Sequence, residues 1–380
     1  MDKCIYSKYC GGCSMQGISY PKQLEMKQEH AENLLKKFGN VEEIIGCKHP
    51  TNYRNKVQVS FGYDDKRRLI CGNYVSSTHM IVPIKECMIV DERANELIDS
   101  VLRIATKYKI SAFDEYSYKG CLRHLLIRTS NLGEVMLVLV TGSFNINKKE
   151  QFIRDILKYN PYVTTIVQNF NNKHTSMILG DKNTVLYGKG YIKDELCGLE
   201  FKISPSSFYQ INRFQTEVLY NTALTLADFK GNETIIDAYC GTGTIGMIAS
   251  KSVKRVLGVE LNSFAIKDAI KNAKYNKIDN VEFVCDDAGH YMENMTKNHL
   301  HLDVLIMDPP RSGASIKFLK SVLRLKPKKI IYISCGIESL RDNLSFLTRD
   351  AYSVKTIQPV DMFPYTSVGH VENIVVLERK

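Results

Sequence analysis

The chain has 380 residues, which is too long for one ordinary domain and predicts two or three. Apolar residues make up 44% and charged residues 24%, as in soluble globular proteins, and no apolar run could span a membrane. The first residues lack the apolar core of a signal peptide, so we expect a cytoplasmic protein without a membrane partner. The net charge of +10 favours a polyanionic partner such as nucleic acid.

The chain contains eleven cysteines, and a cytoplasmic protein is not expected to pair them in disulfides. They are therefore expected to be metal ligands, nucleophiles or small core residues. Six cysteines show no ligand pattern and are predicted to be packing residues: Cys47, Cys71, Cys121, Cys197, Cys240 and Cys285.

Three regions of different pattern follow one another along the chain. Residues 1–40 hold a cysteine cluster and a helix predicted from Pro21 to Phe38. Residues 41–204 consist mainly of predicted strands with helices near 91–108 and 148–158, which indicates a mixed α+β domain. The predicted strands of this central domain are 56–63, 79–84, 124–130, 134–140 and 164–170.

Residues 205–380 show a regular alternation of short apolar strands and helices. Such an alternation predicts an α/β domain with a doubly wound, Rossmann-like parallel sheet. The last two strands are joined without a helical pattern, so the sheet is expected to close with an antiparallel hairpin, as in methyltransferases. The predicted strands are 234–240, 255–261, 281–287, 303–308, 329–335, 353–360 and 372–379.

A glycine-rich turn follows the first of these strands. Residues 237–246 run Asp-Ala-Tyr-Cys-Gly-Thr-Gly-Thr-Ile-Gly, so Gly241 opens a G-x-G-x-x-G pattern at the start of a helix. Glu260 ends the next strand, where a carboxylate can accept the hydroxyls of a ribose. Asp237, four residues before the first glycine, suits a cationic cofactor such as S-adenosylmethionine better than a pyrophosphate, although a nicotinamide or flavin site stays open. Asp287 ends the third strand and is a candidate for contact with an adenine.

Candidate chemical groups lie at the ends of the later strands, where function collects in this architecture. Asp308-Pro-Pro-Arg ends the fourth strand, and its prolines stiffen a loop beside the cofactor. Cys335 ends the fifth strand and is a candidate covalent nucleophile, with a small buried core residue as the alternative. Glu372 starts the last strand and is a candidate general base, with a surface carboxylate as the alternative.

The segment before the first helix of this domain is Ser-Pro-Ser-Ser-Phe-Tyr-Gln-Ile-Asn, residues 204–212. Phe208 and Gln210 offer an aromatic ring and an amide that could grip a flipped base and the cofactor. A helix cap with a core phenylalanine is an equal alternative by composition.

The motifs SPSSFYQIN, DAYCGTGTIG, GVE, MDPPR, YISC and GHVENIVVLER occur in one order between residues 200 and 380. In this order they resemble the RNA uracil-5-methyltransferases of the bacterial 23S rRNA branch. The resemblance implies that Cys335 attacks carbon 6 of the uracil and that Glu372 removes the proton from carbon 5. It implies that Phe208 and Asp308 touch the uracil. The residues that it implies for the cofactor pocket are Gln210, Tyr239, Glu260, Asp287 and Asp308, beside Gly241 of the loop.

The N-terminal cysteines resemble the four-cysteine [4Fe–4S] site of the same branch. The implied ligands are Cys4, Cys10, Cys13 and the distant Cys87 of the central domain. From the spacing alone, a structural zinc site competes with the cluster. The resemblance implies that tRNA-modifying relatives lack the site, which favours 23S rRNA as the partner of a monomeric enzyme.

Two departures from the family pattern affect these expectations. Gly336-Ile337 follow the nucleophile where the family has Asn-Pro, so the shape of that loop is open. Larger relatives also carry an N-terminal β-barrel that binds RNA, whereas here the cysteines begin at residue 4. The central domain is therefore expected to bind the RNA.

Three alternatives to the proposed rRNA enzyme remain open at this point. The chain could methylate a uridine in tRNA, or it could methylate an amino group through Asp308 without a covalent step. It could also be an RNA-binding assembly factor that has lost catalysis.

Overall fold

Two seven-stranded sheets carry most of the regular structure, and each belongs to a separate unit. The computed structural model describes residues 4–75, 78, 80–298 and 300–380. The first unit contains residues 1–17, 49–195 and 201–206, and the second contains residues 18–48, 196–200 and 207–380. Among the described residues, none of the helices combines the length and apolar character needed to cross a membrane.

The sheet of the first unit has the order β3-β2-β1-β4-β5-β6-β7. Neighbouring strands pair antiparallel except β5 and β6, which run parallel and are joined by a helix. Every residue of β4 and β5 is buried, so these strands form the centre of the sheet. The strands are β1 Lys56–Tyr63, β2 Leu69–Tyr74, β3 Ile81–Pro83, β4 Leu122–Thr129, β5 Val135–Thr141, β6 Val163–Phe170 and β7 Lys182–Tyr187.

The helices α2 (Glu92–Lys107) and α3 (Lys149–Tyr159) lie where the sequence predicts them. Asp91 caps α2 by accepting a hydrogen bond from the backbone N–H of Arg93 at 3.0 Å. The strands β2 and β7, and the separate hairpin of β8 (Ile192–Leu196) and β9 (Leu199–Ile203), were not predicted. β7 is largely exposed, so it lacks the apolar alternation by which a strand is recognised.

The sheet of the second unit has the order β12-β11-β10-β13-β14-β16-β15. The pairs among β10 to β14 are all parallel, and β16 pairs antiparallel with both β14 and β15. The predicted doubly wound sheet with a closing antiparallel hairpin is therefore confirmed. The strands are β10 Thr234–Ala238, β11 Arg255–Glu260, β12 Val281–Cys285, β13 Val304–Met307, β14 Lys329–Ser334, β15 Tyr352–Val360 and β16 Glu372–Arg379.

Helices alternate with the strands of this second sheet. Phe318, Tyr332 and Leu340 are fully buried together in its apolar core. The helices are α4 Arg213–Ala227, α5 Thr244–Ala249, α6 Ser263–Tyr275, α7 Ala288–Lys297, α8 Ile316–Leu325 and α9 Ile337–Thr348.

The first helix, α1 (Tyr20–Leu35), belongs to the second unit rather than to the unit of the N-terminal cysteines. Ala31 and Leu35 are fully buried in the core of the second unit. Residues 41–45 continue from the helix along β15, where the N–H of Glu42 donates to Ile357 and that of Ile45 donates to Pro359. The sequence analysis grouped this helix with the cysteines, and the three-part domain division stays a prediction.

Candidate functional site

The glycine-rich turn links β10 to α5 with a left-handed backbone. The φ angles are 63° at Tyr239, 55° at Gly241 and 76° at Gly243, a region that favours glycine. At Gly246 the constraint is space, because a Cβ atom would lie 2.8 Å from Oδ2 of Asp237. The N–H of Gly246 donates to the same oxygen at 2.9 Å, so the buried carboxylate fixes the start of α5.

Two further carboxylates accept hydrogen bonds from backbone N–H groups near the ends of β11 and β12. Glu260 accepts hydrogen bonds from the N–H groups of Gly241 at 3.1 Å and Asn262 at 2.8 Å. Asp287 caps α7 by accepting from the N–H of His290 at 2.9 Å. Both side chains also line a cavity of this unit, so they can contact a ligand from a rigid backbone frame.

One cavity of about 590 Å³ brings the predicted cofactor residues and the predicted catalytic pair together. It lies at the carboxyl ends of the parallel strands, where ligands bind in such sheets. A small cavity of about 40 Å³ adjoins it at the glycine turn and is lined by Asp237 and Tyr220. The predicted residues that line the larger cavity are Phe208, Gln210, Tyr239, Gly241, Glu260, Asp287, Asp308, Cys335 and Glu372.

Cys335 and Glu372 are neighbours because of the strand register. Ser334, the last residue of β14, pairs with Asn373 of the antiparallel strand β16. Cys335 follows Ser334 directly and Glu372 precedes Asn373, so the chain places the two side by side at the carboxyl-terminal edge of the parallel strands. Cys335 is partly exposed to the cavity, whereas Glu372 is buried. The alternatives of a core cysteine and a surface glutamate therefore do not describe these two positions.

Burial raises the pKa of Cys335, Asp308 and Glu372, and nearby negative charge adds to the shift of Cys335 and Glu372. The pKa of the Cys335 thiol is raised to about 11 by burial and by the nearby Glu372 and Asp308, while Arg311 lowers it. Burial also raises the pKa of Glu372 above its usual range, with a further contribution from Asp308. The pKa of Asp308 is raised by burial as well. A buried carboxylate of raised pKa is suited to accept a proton near neutral pH.

Comparison with known proteins agrees with this arrangement. Residues 167–380 match the family model described as tRNA (uracil-5-)-methyltransferase. Two RNA methyltransferases described as uncharacterized, from Halalkalibacterium halodurans and Listeria monocytogenes, are each 41% identical to this chain. The alignments cover 99% of this chain and 83% of the first protein, and 98% of this chain and 82% of the second. The chain belongs to the RNA uracil-5-methyltransferase family.

A solved structure of similar fold belongs to an RNA methyltransferase. The tRNA (uracil-54, C5)-methyltransferase of Pyrococcus abyssi, in complex with S-adenosyl-L-homocysteine, superposes with a TM-score of 0.81 and 27% identity. The match covers 96% of this chain and 85% of that protein. The present chain is therefore an RNA methyltransferase of the S-adenosylmethionine-dependent type with this fold.

The lining of the cavity also includes Arg311 and Phe363, which were not among the predicted site residues. Arg311 follows the Asp-Pro-Pro loop and hydrogen-bonds the Cys335 side chain, and Phe363 lies between β15 and β16. Arg311 stands in the quoted MDPPR motif, so its place beside Asp308 was the available signal. Phe363 stands in a segment without periodicity, and no sequence signal marked it.

Phe208 lies at the rim of both cavities with 65% of its surface exposed. An exposed ring at the mouth of a cavity is available to stack on a base, and burial in a core is excluded for it. Asn212 is the cap of α4 in the same segment, with its side chain accepting from the N–H of Gln215 at 3.3 Å. The segment thus combines a helix cap with an exposed aromatic residue.

The four cysteines predicted as ligands all lie in the first unit. Among the residues that the structure describes, no three His, Cys, Asp or Glu side chains are arranged to hold a metal ion. The four thiols are nevertheless close enough to interact, because the pKa of Cys13, raised to about 11 mainly by burial, is raised further by Cys87, Cys10 and Cys4. Four thiols are the donor set that a [4Fe–4S] cluster requires.

The predicted packing role of the other cysteines is wrong for Cys285, which is exposed. It ends β12, an edge strand of the second sheet, where a side chain lacks a neighbour on one side. Cys197 is partly exposed, and the four that are buried are Cys47, Cys71, Cys121 and Cys240.

Gly336 holds the loop that follows Cys335 against the Asp-Pro-Pro-Arg loop. A Cβ atom at this position would overlap the backbone oxygen of Arg311 and lie 2.9 Å from Oγ of Ser339. Ser339 donates to the same Arg311 oxygen at 2.8 Å, so the two loops are directly joined. Gly336 therefore makes a close backbone contact that a larger residue would disturb.

Substitution Gly336→Ala is expected to force the two loops apart. We expect a loss of about 1–3 kcal/mol in the free energy of unfolding and a lower methylation rate, because Arg311 moves away from Cys335. Urea denaturation and single-turnover kinetics measure the two effects. The matched control is Gly39→Ala, where the nearest atom to a Cβ is Cγ1 of Val354 at 3.4 Å. Equal changes in unfolding free energy and methylation rate in the two variants would contradict the role of Gly336.

Proposed function

We propose that this chain methylates carbon 5 of a uridine in 23S rRNA, with Cys335 as nucleophile and Glu372 as general base. The observation that carries the proposal is the single cavity lined by Cys335, Glu372, the glycine turn and Glu260. When bound, S-adenosylmethionine supplies an electrophilic methyl group that carbon 5 of an ordinary uracil is too weak to attack. The residues of the chain must therefore activate the base.

The cavity supports binding of a cationic cofactor. Its lining includes the carboxylates of Glu260, Asp287 and Asp308 beside the glycine turn. Negative side chains in a partly enclosed site attract a cation. We propose that Glu260 accepts the ribose hydroxyls, that Asp287 contacts the adenine, and that Gln210, Tyr239, Gly241 and Asp308 complete the pocket.

The proposed reaction uses Cys335 twice. Its thiolate adds to carbon 6, which forms an S–C bond and moves the electron pair of the C5=C6 bond into an enolate, so that carbon 5 becomes nucleophilic. After carbon 5 has taken the methyl group, Glu372 accepts the proton from carbon 5. The electron pair of that C–H bond restores the C5=C6 bond, and the thiolate leaves. Phe208 and Asp308 are proposed to hold the flipped uracil during these steps.

The choice of RNA is the open part of the proposal. The four-cysteine pattern favours rRNA, whereas the likeness to the Pyrococcus abyssi tRNA enzyme, with a TM-score of 0.81, favours a uridine in tRNA as a second candidate. Incubation of the protein and labelled S-adenosylmethionine with unmodified 23S rRNA and with unmodified tRNA separates the two. Mapping of 5-methyluridine in tRNA alone would overturn the rRNA assignment and leave the chemistry intact.

Substitution Cys335→Ala is expected to abolish methylation and the covalent step together. RNA with 5-fluorouridine at the target should form a denaturation-resistant adduct with the native protein, because fluorine cannot leave carbon 5 as a proton does. The Cys335→Ala variant should form none. The control is Cys285→Ala, which removes an exposed thiol and should leave both readouts unchanged. If Cys335→Ala instead retains full turnover, methylation of an amino group is supported. If the native protein does not bind S-adenosylmethionine, an assembly factor without catalysis is supported.

Substitution Arg311→Met is expected to move the pH profile of adduct formation upward. The Cys335 pKa is raised to about 11, so the thiolate fraction, and with it the rate, rises with pH between 7 and 9. Arg311 lowers that pKa, and its loss should reduce the rate near pH 7.5 by on the order of tenfold. Arg311→Lys retains the charge, and its rate of adduct formation should lie between those of the native protein and Arg311→Met. Rapid-quench measurement with 5-fluorouridine RNA isolates this step, and an unshifted profile would argue against thiolate stabilisation by Arg311.

We further propose that Cys4, Cys10, Cys13 and Cys87 bind a [4Fe–4S] cluster that has a structural or RNA-positioning role. Protein prepared without oxygen should contain about four iron atoms and four sulfides per chain and absorb near 400 nm. Each Cys→Ser change at the four positions should lower the iron content, whereas Cys71→Ser, a buried cysteine of the same unit, should retain it. Stoichiometric zinc without sulfide would identify a zinc site instead.

A further inference from the structure

A buried ion pair joins α1 to the segment between the last two strands. Nζ of Lys27 lies 2.6 Å from Oδ1 of Asp361, and both side chains are fully buried. Burial lowers the pKa of Lys27, while the charge of Asp361 opposes that shift. Removing two charges from water is costly, so a buried pair is weak as a source of stability and suited to fixing one arrangement of the chain.

The pair holds both ends of the segment 361–371, here called the β15–β16 loop. Nζ of Lys27 also donates to the backbone oxygens of Phe363 at 3.0 Å and His370 at 3.4 Å. Phe363 lines the cavity, and His370 lies two residues before Glu372. One ammonium group therefore contacts the loop at its start and at its end, beside the proposed general base.

The same face of α1 makes two more contacts with this loop. Tyr20, Gln23 and Lys27 follow the i, i+3, i+7 spacing of one helix face. The hydroxyl of Tyr20 donates to Oδ2 of Asp361 at 2.9 Å. Oε1 of Gln23, which is fully buried, accepts from the N–H of Tyr365 at 2.8 Å. The polar face of α1 therefore fixes the loop at several points.

The helix is itself anchored in the second unit. Ala31 and Leu35 are buried in its core, and Oε1 of Gln28 accepts from the N–H of Ile44 at 2.8 Å, in the segment that runs along β15. Asp361 adds an internal brace, since its Oδ1 also accepts from the N–H of Phe363 at 3.2 Å. The loop therefore rests on a fixed frame, and its position depends on the ammonium of Lys27.

We propose that Lys27 is a positioning residue that holds Glu372 and Phe363 in place for removal of the proton from carbon 5. The inference rests on the proposed function, because it takes Glu372 as the base. Cys335 follows β14 and lies beside Arg311. Lys27 bonds Asp361, Phe363 and His370 and makes none of these hydrogen bonds to β14 or to the Arg311 loop. Loss of Lys27 should therefore slow proton removal and release of the thiolate more than the attack of Cys335.

The test is Lys27→Met with RNA that contains ordinary uridine. We expect the covalent protein–RNA adduct, transient in the native protein, to accumulate at least tenfold, while kcat falls by about 10- to 100-fold. Denaturing gels quantify the adduct, and quench kinetics give the rates. With 5-fluorouridine RNA, which needs no proton removal, the variant should form its adduct at a rate within about threefold of the native protein. A purely structural role would lower both rates together and would not raise the adduct.

Two further variants keep the inference falsifiable if Lys27→Met folds poorly. Lys27→Met with Asp361→Asn removes both charges and keeps an oxygen for the N–H of Phe363, so no unpaired carboxylate stays buried. Tyr20→Phe removes one hydroxyl and should cause a smaller rise in adduct. The matched control is Lys22→Met, which changes an exposed lysine of the same helix that pairs with Glu25, and it should behave as the native protein.

The outcomes separate this inference from the proposed function. If the native protein forms no adduct with 5-fluorouridine RNA, the covalent mechanism fails, whatever the variants do. If the native protein forms that adduct and neither the double variant nor Tyr20→Phe raises the adduct on uridine RNA, the positioning role of Lys27 is overturned and the mechanism stands.

Discussion

The antiparallel pairing of β16 with β14 is the constraint on which the site depends. The parallel strands β10 to β14 all direct their carboxyl ends to one edge of the sheet. Because β16 runs the other way, it starts at that edge, and its first residue is Glu372. A parallel last strand would place Arg379 there instead. The pairing of Ser334 with Asn373 then sets Cys335 beside Glu372 through backbone hydrogen bonds, without reliance on a long loop.

The cavity is lined by more acidic than basic side chains, and this excess suits the proposed chemistry. Carboxylates come from four different strand ends, and Arg311 is the cation among the described residues of the lining. Burial raises the pKa of both Asp308 and Glu372, and the charge of Asp308 raises that of Glu372 further, which favours proton transfer near neutral pH. The same surroundings raise the pKa of Cys335 and so disfavour its thiolate. The guanidinium of Arg311 has the opposite effect, because it lowers that pKa.

The polar face of α1 shows how a distant part of the chain can set the geometry of this site. Lys27 and Asp361 are separated by 334 positions in the sequence. Their contact fixes a loop without regular structure between two strands that are themselves well defined by hydrogen bonds. Irregular segments have few internal contacts to determine their conformation, and a buried donor with three acceptors supplies that constraint from outside.

The sequence by itself determined the second sheet, its closing hairpin, the glycine-rich turn and the candidate pair Cys335 and Glu372. These features rest on local causes: strand and helix periods, glycines where the backbone is left-handed or crowded, and residue types at strand ends. Tertiary structure alone decided that α1 packs in the second unit, that Phe363 faces the cavity, that Arg311 bonds Cys335, and that Cys285 is exposed. Those facts depend on which surfaces meet after the chain has folded. Contacts between residues hundreds of positions apart leave no periodic trace in either segment, because each segment satisfies only its own local pattern.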